Sequence, residues 1–500
     1  MMNKDVRAKI VLLNAPLKIS VDDRHFPPLG IGSMAASLRA KGYVCDIIDG
    51  DLPENQSVEA IVERLLTYDL IGISATTPSL QNAVWIAEMV KKVRDIPIVL
   101  GGHCATFMHQ EIVERYTCFD VIVRGEGESA IIALCKDYFA NGMFTKAHDY
   151  ITAKNINGRP HLAKTIAIEE DLDSLPFPIR DGFGQYFDNN EIITISSSRG
   201  CPYGCSFCSA TNFRSKWGFR SPQNIADEVY EIFLKKKDFK IIFVDDNFYV
   251  NPVRSIEILK KIQEKCGRKF EFVFATRADQ IVNNGVEYLE ELKQYGCIEI
   301  EMGIENGSTS ALKRYNKNIS PEQNKQAIQM LLALQIRPAV DYVLFDPETT
   351  RDELSENVNF LKSAKLWGYD PPLIYERIVT FPGTEFTKRH PQLYREDCII
   401  ASNIYFQDKQ VLEIYKCMQQ FRLRYQNKIN LLIMQMRSAN FCESYAHSYT
   451  SELLWLKLLP YRLLEKLVET SKDYRTVYEA FLLGNEVSSR LQKYELKYLH

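Results

Sequence analysis

Short apolar runs alternate with segments of helical periodicity over the first 135 residues of the chain. The runs are KIVLLNAP, YVCDIID, DLIGISA, IPIVLGG and FDVIVRGEG, and each ends in Gly, Pro or small polar residues. Segments between them, such as SLQNAVWIAEMVKKVR, repeat apolar positions at the spacing of a helix. This alternation predicts an α/β domain with a doubly wound, Rossmann-like parallel sheet of about five strands.

Small, polar, Gly-rich segments follow several of these strands, at residues 27–32, 74–79 and 101–106. Ligands bind in such sheets beyond the carboxyl ends of the strands, where these segments fall. The pattern therefore predicts a binding site at this edge. The alternative, that the loops are small and polar only because they are loops, stays open.

A second series of strand-like runs begins near residue 191: IITISSS, KIIFVDD, FEFVFATRAD, IEIEMGIE, RPAVDYVLF and LIYERIVTF. Helical stretches such as NIADEVYEIFLKKK lie between them. Six such repeats predict a partial, TIM-like (β/α)6 barrel, with functional groups at the carboxyl ends of its strands. The intervening NGRP and LPFPIRD carry the Pro and Gly punctuation of a linker.

Long helical patterns run from residue 388 to the end. The segment LLWLKLLPYRLLEKLV is predicted to belong to a helix pair that covers the barrel, and a helix lying on a membrane surface is the alternative. The chain is therefore predicted to comprise a first domain (1–140), a linker (141–190), a barrel (191–387) and a helical, substrate-side region (388–500).

Net charge and composition limit the classes of partner that we expect for this protein. The 500 residues have a net charge of -3 and a pI near 6.3, which argues against a nucleic-acid partner. No apolar run approaches the roughly 20 residues that span a bilayer, so an integral membrane segment is not expected. No signal-peptide pattern opens the chain, so a cytoplasmic location is expected. Nine of the twelve cysteines are scattered and are expected to be buried thiols.

The remaining three cysteines cluster in CPYGCSFC, as Cys201-x3-Cys205-x2-Cys208. A structural zinc site needs four protein ligands, and no further Cys or His lies nearby in the sequence. Three thiolates suit a [4Fe-4S] cluster that leaves one iron open to another ligand. Zinc and plain buried thiols are the alternatives.

With an aromatic residue before its last cysteine, this motif resembles the signature of the radical S-adenosylmethionine (SAM) superfamily. The resemblance implies that SAM binds the open iron through its amino and carboxylate groups. It implies that an electron from an external flavodoxin- or ferredoxin-type reductant then cleaves SAM. The resulting 5′-deoxyadenosyl radical would remove hydrogen from an unactivated C–H bond.

The same resemblance implies SAM contacts at the strand ends. The candidates are Phe207, Asp245, Asp246, Arg277, Gly303 and Glu305. Phe207 would pack near the adenine, Arg277 would pair with the SAM carboxylate, and Glu305 would bind the ribose hydroxyls. The two aspartates stand where many members have a Gly-Glu motif that lies near the SAM amino group. The alternative to a SAM contact is that these aspartates face the substrate. Loop packing for Phe207 and a structural ion pair for Arg277 also stay open.

An α/β domain before such a barrel resembles the cobalamin-binding domain of a large radical SAM subfamily, and PPLGIGSMAASLRAKGY and RGEGE are similar to its sequence. The implied cobalamin contacts are Pro28, Leu29, Gly30, Ser74, Thr76, Gly101, Gly102 and Glu126. The stretch from Asp23 to Pro28 is a near match to the D-x-H-x-x-G motif of cobalt-ligating proteins. His25 is predicted to be a loop residue, with cobalt ligation as the alternative.

The resemblance implies a cobalamin-dependent radical SAM enzyme that uses a [4Fe-4S] cluster, SAM and cobalamin. Its expected reaction is methylation of an unactivated carbon in a small-molecule or peptide intermediate of natural-product biosynthesis. A non-methylating reaction, such as dehydration, ring contraction or cyclisation, is the alternative. An iron–sulfur protein without radical chemistry is a third. No catalytic residue is assigned.

Overall fold

The computed structural model describes residues 8–17, 26–52, 55, 57–180, 191–394, 401, 403–439, 451–470 and 473–498. His25, the candidate cobalt ligand, lies outside the described residues.

The first domain is built on a parallel sheet. Its strands are β1 (Lys9–Asn14), β2 (Val44–Asp49), β3 (Leu70–Ser74), β4 (Ile98–Gly101) and β5 (Val121–Val123). They lie in the order β2-β1-β3-β4-β5, which confirms the predicted doubly wound sheet. The helices Leu29–Ala40 and Glu128–Asn141 cover one face, and Val58–Leu65, Leu80–Val93 and His103–Arg115 cover the other. Both faces are therefore buried, as the near-continuous apolar strands require.

Part of the predicted linker extends this sheet. Strands β6 (Ile151–Ile156) and β7 (Arg159–His161) pair antiparallel and follow β5 in the sheet. Asn157 and Gly158 join them, and both have positive φ, of 54° and 80°. A two-residue turn of this kind matches the right-handed twist of paired strands, and Asn-Gly is its preferred sequence. The Asn-Gly dipeptide was therefore a hairpin signal rather than linker punctuation.

The second domain carries a five-stranded parallel sheet. The strands of this domain are β8 (Ile192–Ile195), β9 (Ser198–Arg199), β10 (Gly218–Phe219), β11 (Lys240–Phe243), β12 (Phe272–Arg277), β13 (Cys297–Glu305) and β14 (Arg337–Tyr342). The parallel order is β8-β11-β12-β13-β14, while β9 and β10 form a separate antiparallel pair. The helices are Ala210–Phe213, Pro222–Lys235, Pro252–Cys266, Ala278–Asn284, Val286–Tyr295, Thr309–Arg314, Pro321–Ala333 and Arg351–Ser363. This alternation confirms the βα architecture of a partial barrel.

The sixth predicted strand is not formed as a whole: residues 373–375 make a turn, and Arg377 makes a single parallel bridge to Phe345. Pro371 and Pro372 precede this segment and Pro382 follows it. Proline lacks the N–H that a sheet ladder needs, so continuous pairing is disfavoured here. The part of the segment at Arg377 keeps the strand's direction without its full set of hydrogen bonds.

Cap residues set where three of the barrel helices begin. Ser221, Asn251 and Ser320 each stand immediately before a proline at the first helical position. The side chain of each accepts a hydrogen bond from the backbone N–H three residues on. This satisfies a donor that a helix start otherwise leaves unpaired, and proline needs no donor at that position.

The final region is helical and packs on the barrel. Its helices are Glu385–Arg389, Lys409–Phe421, Asn427–Ala439, Ser451–Glu469, Tyr474–Gly484 and Val487–Tyr498. The helix Ser451–Glu469 buries Leu456, Leu459, Tyr461 and Leu464 in the same core as the barrel strands. This confirms the prediction that this helix covers the barrel. In the described part of the chain, no helix has both the length and the apolar content to cross a membrane.

Candidate functional site between the two domains

A cavity of about 560 Å³ lies between the carboxyl edges of the two sheets. Residues at the carboxyl ends of β3 and β4 form one wall, and residues that follow β8 and β11 form the opposite wall. The segment 172–178 of the predicted linker contributes to one side. The strand ends of both domains thus face a single space, as ligand sites of parallel α/β folds do.

Most of the residues proposed to contact cobalamin line this cavity: Leu29, Gly30, Ser74, Gly101, Gly102 and Glu126. Pro28 and Thr76 are not part of its wall. Pro28 stands before the helix Leu29–Ala40, and the N–H of Thr76 donates to Ser79 Oγ at 2.9 Å in a tight turn. A Cβ added to Gly30 or Gly101 would meet no atom within 4 Å. These open glycine walls fit a large group lying against the sheet edge.

Glu126 has a structural partner. One guanidinium nitrogen of Arg214 donates to both carboxylate oxygens of Glu126, at 2.7 and 2.8 Å, and both side chains are buried. Nearby, Arg199 donates to Glu128 at 2.7 Å. These ion pairs join the first domain to the barrel at the edge of the cavity. The carboxylate of Glu126 is therefore committed to holding that wall.

The three clustered cysteines lie in one partly exposed loop, and Cys208 reaches the cavity. Among the described residues, no three Cys, His, Asp or Glu side chains converge on a position for a single metal ion. In a [4Fe-4S] cluster each thiolate binds its own iron, so three thiols that do not converge on one ion fit a cluster better than zinc. Burial raises the pKa of Cys208 to about 11, so metal binding would have to draw its proton off near neutral pH.

Arg277 supports this loop. Its Nη1 donates to Cys205 Sγ at 3.4 Å, its Nε and Nη2 pair with Asp279 at 2.9 and 3.0 Å, and its guanidinium lies 4.1 Å above the ring of Tyr203. The ion pair that the sequence left open is therefore present. A contact between Arg277 and the SAM carboxylate stays a prediction.

Glu305 ends β13 with a positive φ of 63°, a conformation that costs energy outside glycine and is concentrated at functional sites. Its Oε1 accepts a hydrogen bond from Lys317 Nζ at 2.7 Å, and both residues are buried. A Cβ on Gly303 would approach that oxygen to 2.5 Å, so a larger residue there would have to displace the Glu305–Lys317 pair. Lys317 was missed because it follows no strand and belongs to no motif.

The two adjacent aspartates have different environments. Asp245 is buried and accepts from Ser197 N at 2.7 Å and from the hydroxyls of Ser197 and Ser198 at 2.5 Å. It thus braces the chain before the cysteine loop. Asp246 lines the cavity, accepts from Gly200 N at 3.0 Å, and has its pKa raised by burial. Of the pair, Asp246 is the one that faces a ligand space.

Phe207 packs against an apolar cluster. Its ring meets the ring of Tyr315 edge-on, with centroids 5.5 Å apart, beside Ile378 and Phe386. This is the packing role that the sequence left open for Phe207. A contact with adenine stays a prediction.

His103 is a cavity residue that the sequence did not single out. Its Nε2 lies 2.5 Å from the Oγ of Ser209, the residue after Cys208. Its ring meets Phe107 and Phe381 at centroid distances of 4.9 and 5.7 Å, and burial lowers its pKa. The signal was present, because GGHC follows a parallel strand directly.

Two family models match the chain in the order of these domains: the B12 binding domain over residues 20–135 and the radical SAM superfamily over residues 195–361. The chain belongs to the radical SAM enzymes that carry an N-terminal B12-binding domain. It is thus a cobalamin-dependent radical SAM enzyme, and its cofactors are a [4Fe-4S] cluster, SAM and cobalamin. Such an enzyme also requires an electron donor and a substrate.

Individual proteins show the same relationship. An uncharacterized methyltransferase of Pyrococcus horikoshii is 27% identical over 67% of this chain and 73% of its own length. The anaerobic magnesium-protoporphyrin IX monomethyl ester cyclase of Rubrivivax gelatinosus is 29% identical over 69% of this chain and 63% of its own length. The cobalamin-dependent SAM radical enzyme OxsB, with aqua-cobalamin and SAM bound, matches with a TM-score of 0.75 at 20% identity, over 96% of this chain and 75% of that one. At this identity the structural match establishes the fold.

Proposed function

We propose that the protein is a C-methyltransferase that acts on an unactivated carbon of a small biosynthetic substrate. The observation that supports this most directly is the shared cavity, in which Cys208 and the open Gly101 edge belong to one space. A substrate carbon held there would face both cofactor positions without a change of domain arrangement. The methyltransferase of Pyrococcus horikoshii, similar over two thirds of the chain, supports the same reaction class.

Cysteine thiolates of the loop would hold the cluster, and the glycine-lined sheet edge would hold cobalamin. When bound, the cluster, SAM and cobalamin supply the electron, the hydrogen-abstracting radical and the methyl group. Arg277 would orient the loop through Cys205, and Asp246 and Glu305 would receive polar groups of SAM. The buried pair of Glu126 and Arg214 would keep bulk water from entering at the domain boundary.

The test is anaerobic reconstitution with iron, sulfide and cobalamin, followed by turnover with methyl-deuterated SAM, a flavodoxin reductant and a metabolite extract. We expect S-adenosylhomocysteine and 5′-deoxyadenosine in near-equal amounts and a metabolite that gains a CD3 group. The Cys205→Ala variant is the control and should form neither 5′-deoxyadenosine nor the labelled product.

A non-methylating radical reaction is the second candidate, and the similarity to a cyclase supports it. It predicts a new product without deuterium, accompanied by 5′-deoxyadenosine and no stoichiometric S-adenosylhomocysteine. That product ratio would contradict methyl transfer and leave the radical chemistry intact.

A further inference from the structure

A second cavity, of about 370 Å³, lies next to the 560 Å³ cavity between the two sheets, which we call the cofactor cavity. Thr77 and Pro78 contribute its wall from the first domain, and most of the remainder comes from residues 377–381 and from Ala401, Asn403, Tyr405 and Phe406. The volume falls within the range of about 300–1,000 Å³ that small-molecule sites occupy. Most of the wall lies beyond residue 361, where the radical SAM match ends. Its specificity therefore belongs to this chain rather than to the matched domains.

The wall is largely apolar and its side chains are open to the cavity. Val379 is 61% exposed, Phe381 is 36% exposed and Tyr405 is 40% exposed, and all three line this concave site. Large apolar side chains accessible at a concave site indicate that an apolar ligand covers them.

Two charged residues line the same cavity, and they differ in whether an oppositely charged side chain among the described residues pairs with them. Asp346 is buried and neutralised, since it accepts from Arg314 at 2.7 and 3.1 Å and from the hydroxyl of Tyr315 at 2.6 Å. Arg377 donates from Nη1 to the carbonyl oxygen of Asn403 at 3.1 Å, and no ion pair among the described residues includes it. Among the described residues, the positive charge of Arg377 at the cavity wall is thus not compensated by a carboxylate.

The two cavities meet at a pair of rings. Phe381 lines the second cavity, His103 lines the cofactor cavity, and their rings contact edge-on with centroids 5.7 Å apart. A molecule in the second cavity would thus abut the cofactor cavity across one layer of side chains.

We propose that the second cavity binds a mainly apolar small molecule with one oxyanion, a carboxylate or a phosphate, that pairs with Arg377. This binding site is distinct from the cavity that holds the cofactors, and its occupancy does not depend on the proposed function. The apolar body lies against Val379, Phe381 and Tyr405. A guanidinium recognises both kinds of oxyanion through paired N–H donors.

The test is anaerobic calorimetric titration of the reconstituted holoenzyme with octanoate, octyl phosphate and octanol. We expect at least one anion to bind ten-fold or more tightly than octanol, and the stronger of the two identifies the class of oxyanion. Octanol binding as tightly as both anions would overturn the proposal. So would the absence of saturable binding by all three.

Variants locate the site. Arg377→Gln should weaken binding of the preferred anion at least ten-fold and leave octanol unchanged, while Val379→Trp should fill the cavity and abolish binding of all three probes. The matched control is Arg422→Gln, because Arg422 pairs with Glu376 at 2.9 Å and does not line the cavity. Unchanged iron content and circular dichroism show that each variant is folded. Wild-type anion affinity in Arg377→Gln would contradict the assignment.

The two proposals can fail separately. If the labelled methyl product is absent but the anion still requires Arg377, methyl transfer is wrong and the binding site stands. If methyl transfer occurs while Arg377→Gln binds the anion as the wild type does, the site is wrong and the reaction stands.

Discussion

Arg214 and Glu126 join the first domain to the barrel through a buried ion pair, with one guanidinium nitrogen 2.7 and 2.8 Å from the two carboxylate oxygens. The side chains are each 4% exposed. A second guanidinium nitrogen of Arg214 donates to the backbone oxygen of Glu169, at 3.0 Å, so the linker is held at the same point. The shape of the cofactor cavity thus depends on a contact between residues 88 positions apart.

Removing one partner of this pair should destabilise the protein strongly. In Arg214→Gln the buried carboxylate of Glu126 keeps only its longer ion pair with Arg199, at 3.6 Å, so we expect a loss of up to about 3–5 kcal/mol, the cost of breaking comparable buried pairs. We expect a clearly lower urea midpoint by fluorescence. Lys388→Gln is the control, since its pair with Glu385 is exposed on both sides and should contribute no more than about 1 kcal/mol. Equal losses in both variants would show that the buried pair has no special role.

Each clustered cysteine should be required for iron. Cys201→Ala, Cys205→Ala and Cys208→Ala are expected to retain less than about one tenth of the reconstituted iron and of its visible absorbance, because a cluster with two remaining thiolates is poorly held. Cys297→Ala is the control, as that thiol is buried in the barrel core. Full iron in any of the three loop variants would argue against the cluster assignment.

Arg277 should tune the reduction potential of the cluster. Its N–H group donates to Cys205 Sγ and its positive charge favours the reduced, more negative state. Arg277→Gln is therefore expected to lower the potential by tens of millivolts, where about 59 mV is a ten-fold change in a one-electron equilibrium. A redox titration followed by electron paramagnetic resonance measures it. Arg268→Gln, at an exposed pair with Asp238, serves as the control, and a potential unchanged in both would exclude the effect.

A larger side chain at Gly101 should show whether cobalamin binds at this edge of the sheet. A side chain there meets no protein atom within 4 Å of its Cβ, so Gly101→Leu fills ligand space and leaves the backbone unstrained. We expect at least a ten-fold loss of cobalamin affinity by spectroscopic titration, with iron content retained. Gly484→Leu is the matched change in an equally open position remote from the cavity. Cobalamin binding that survives in Gly101→Leu would place the ligand elsewhere.

His109 should make stability depend on pH. Burial, with Arg124 nearby, lowers its pKa to about 4, below the 6.5 expected in the unfolded chain. Between these values the unfolded state binds more protons, so stability falls as pH drops from about 6.5 towards 4. At pH 5 the loss should be about 1–2 kcal/mol by urea unfolding, since one pKa unit is about 1.4 kcal/mol.

The variant His109→Gln should show less of this loss. Its neutral amide can still bond to Thr152 Oγ1, which lies 2.7 Å from His109 Nδ1. His161→Gln, at a half-buried position, is the matched control for the chemical change. The same pH dependence in wild type and His109→Gln would exclude this histidine as the cause.

Much of the fold could be predicted because local patterns agree with tertiary packing. The five strands of the first sheet are apolar on both faces, and that pattern requires helices on each side. The hairpin at Asn157 was missed because Pro and Gly nearby favoured a linker. The sixth barrel strand was predicted from its apolar pattern, which does not show how few of its backbone groups find partners.

The residues of the site also fall into two groups, those that the sequence predicted and those that depend on tertiary packing. The cysteine loop could be singled out from sequence because three thiols lie within eight residues. The Gly-rich strand ends could be singled out because parallel strands bring such ends to one edge of a sheet. The ion pairs of Lys317 with Glu305 and of Glu126 with Arg214 could not be predicted from the sequence. Both depend on partners brought together only when the domains pack.

The sequence by itself determined the two βα domains and the family, and it predicted the three cysteines as cluster ligands, because these features depend on short-range spacing and periodicity. Only the tertiary structure decided that both sheet edges face one cavity, that Asp246 faces it while Asp245 does not, and that Arg377 stands beside a second cavity without a carboxylate partner among the described residues. The physical reason is that burial and ion pairing depend on which distant side chains meet, and spacing along the chain does not encode that.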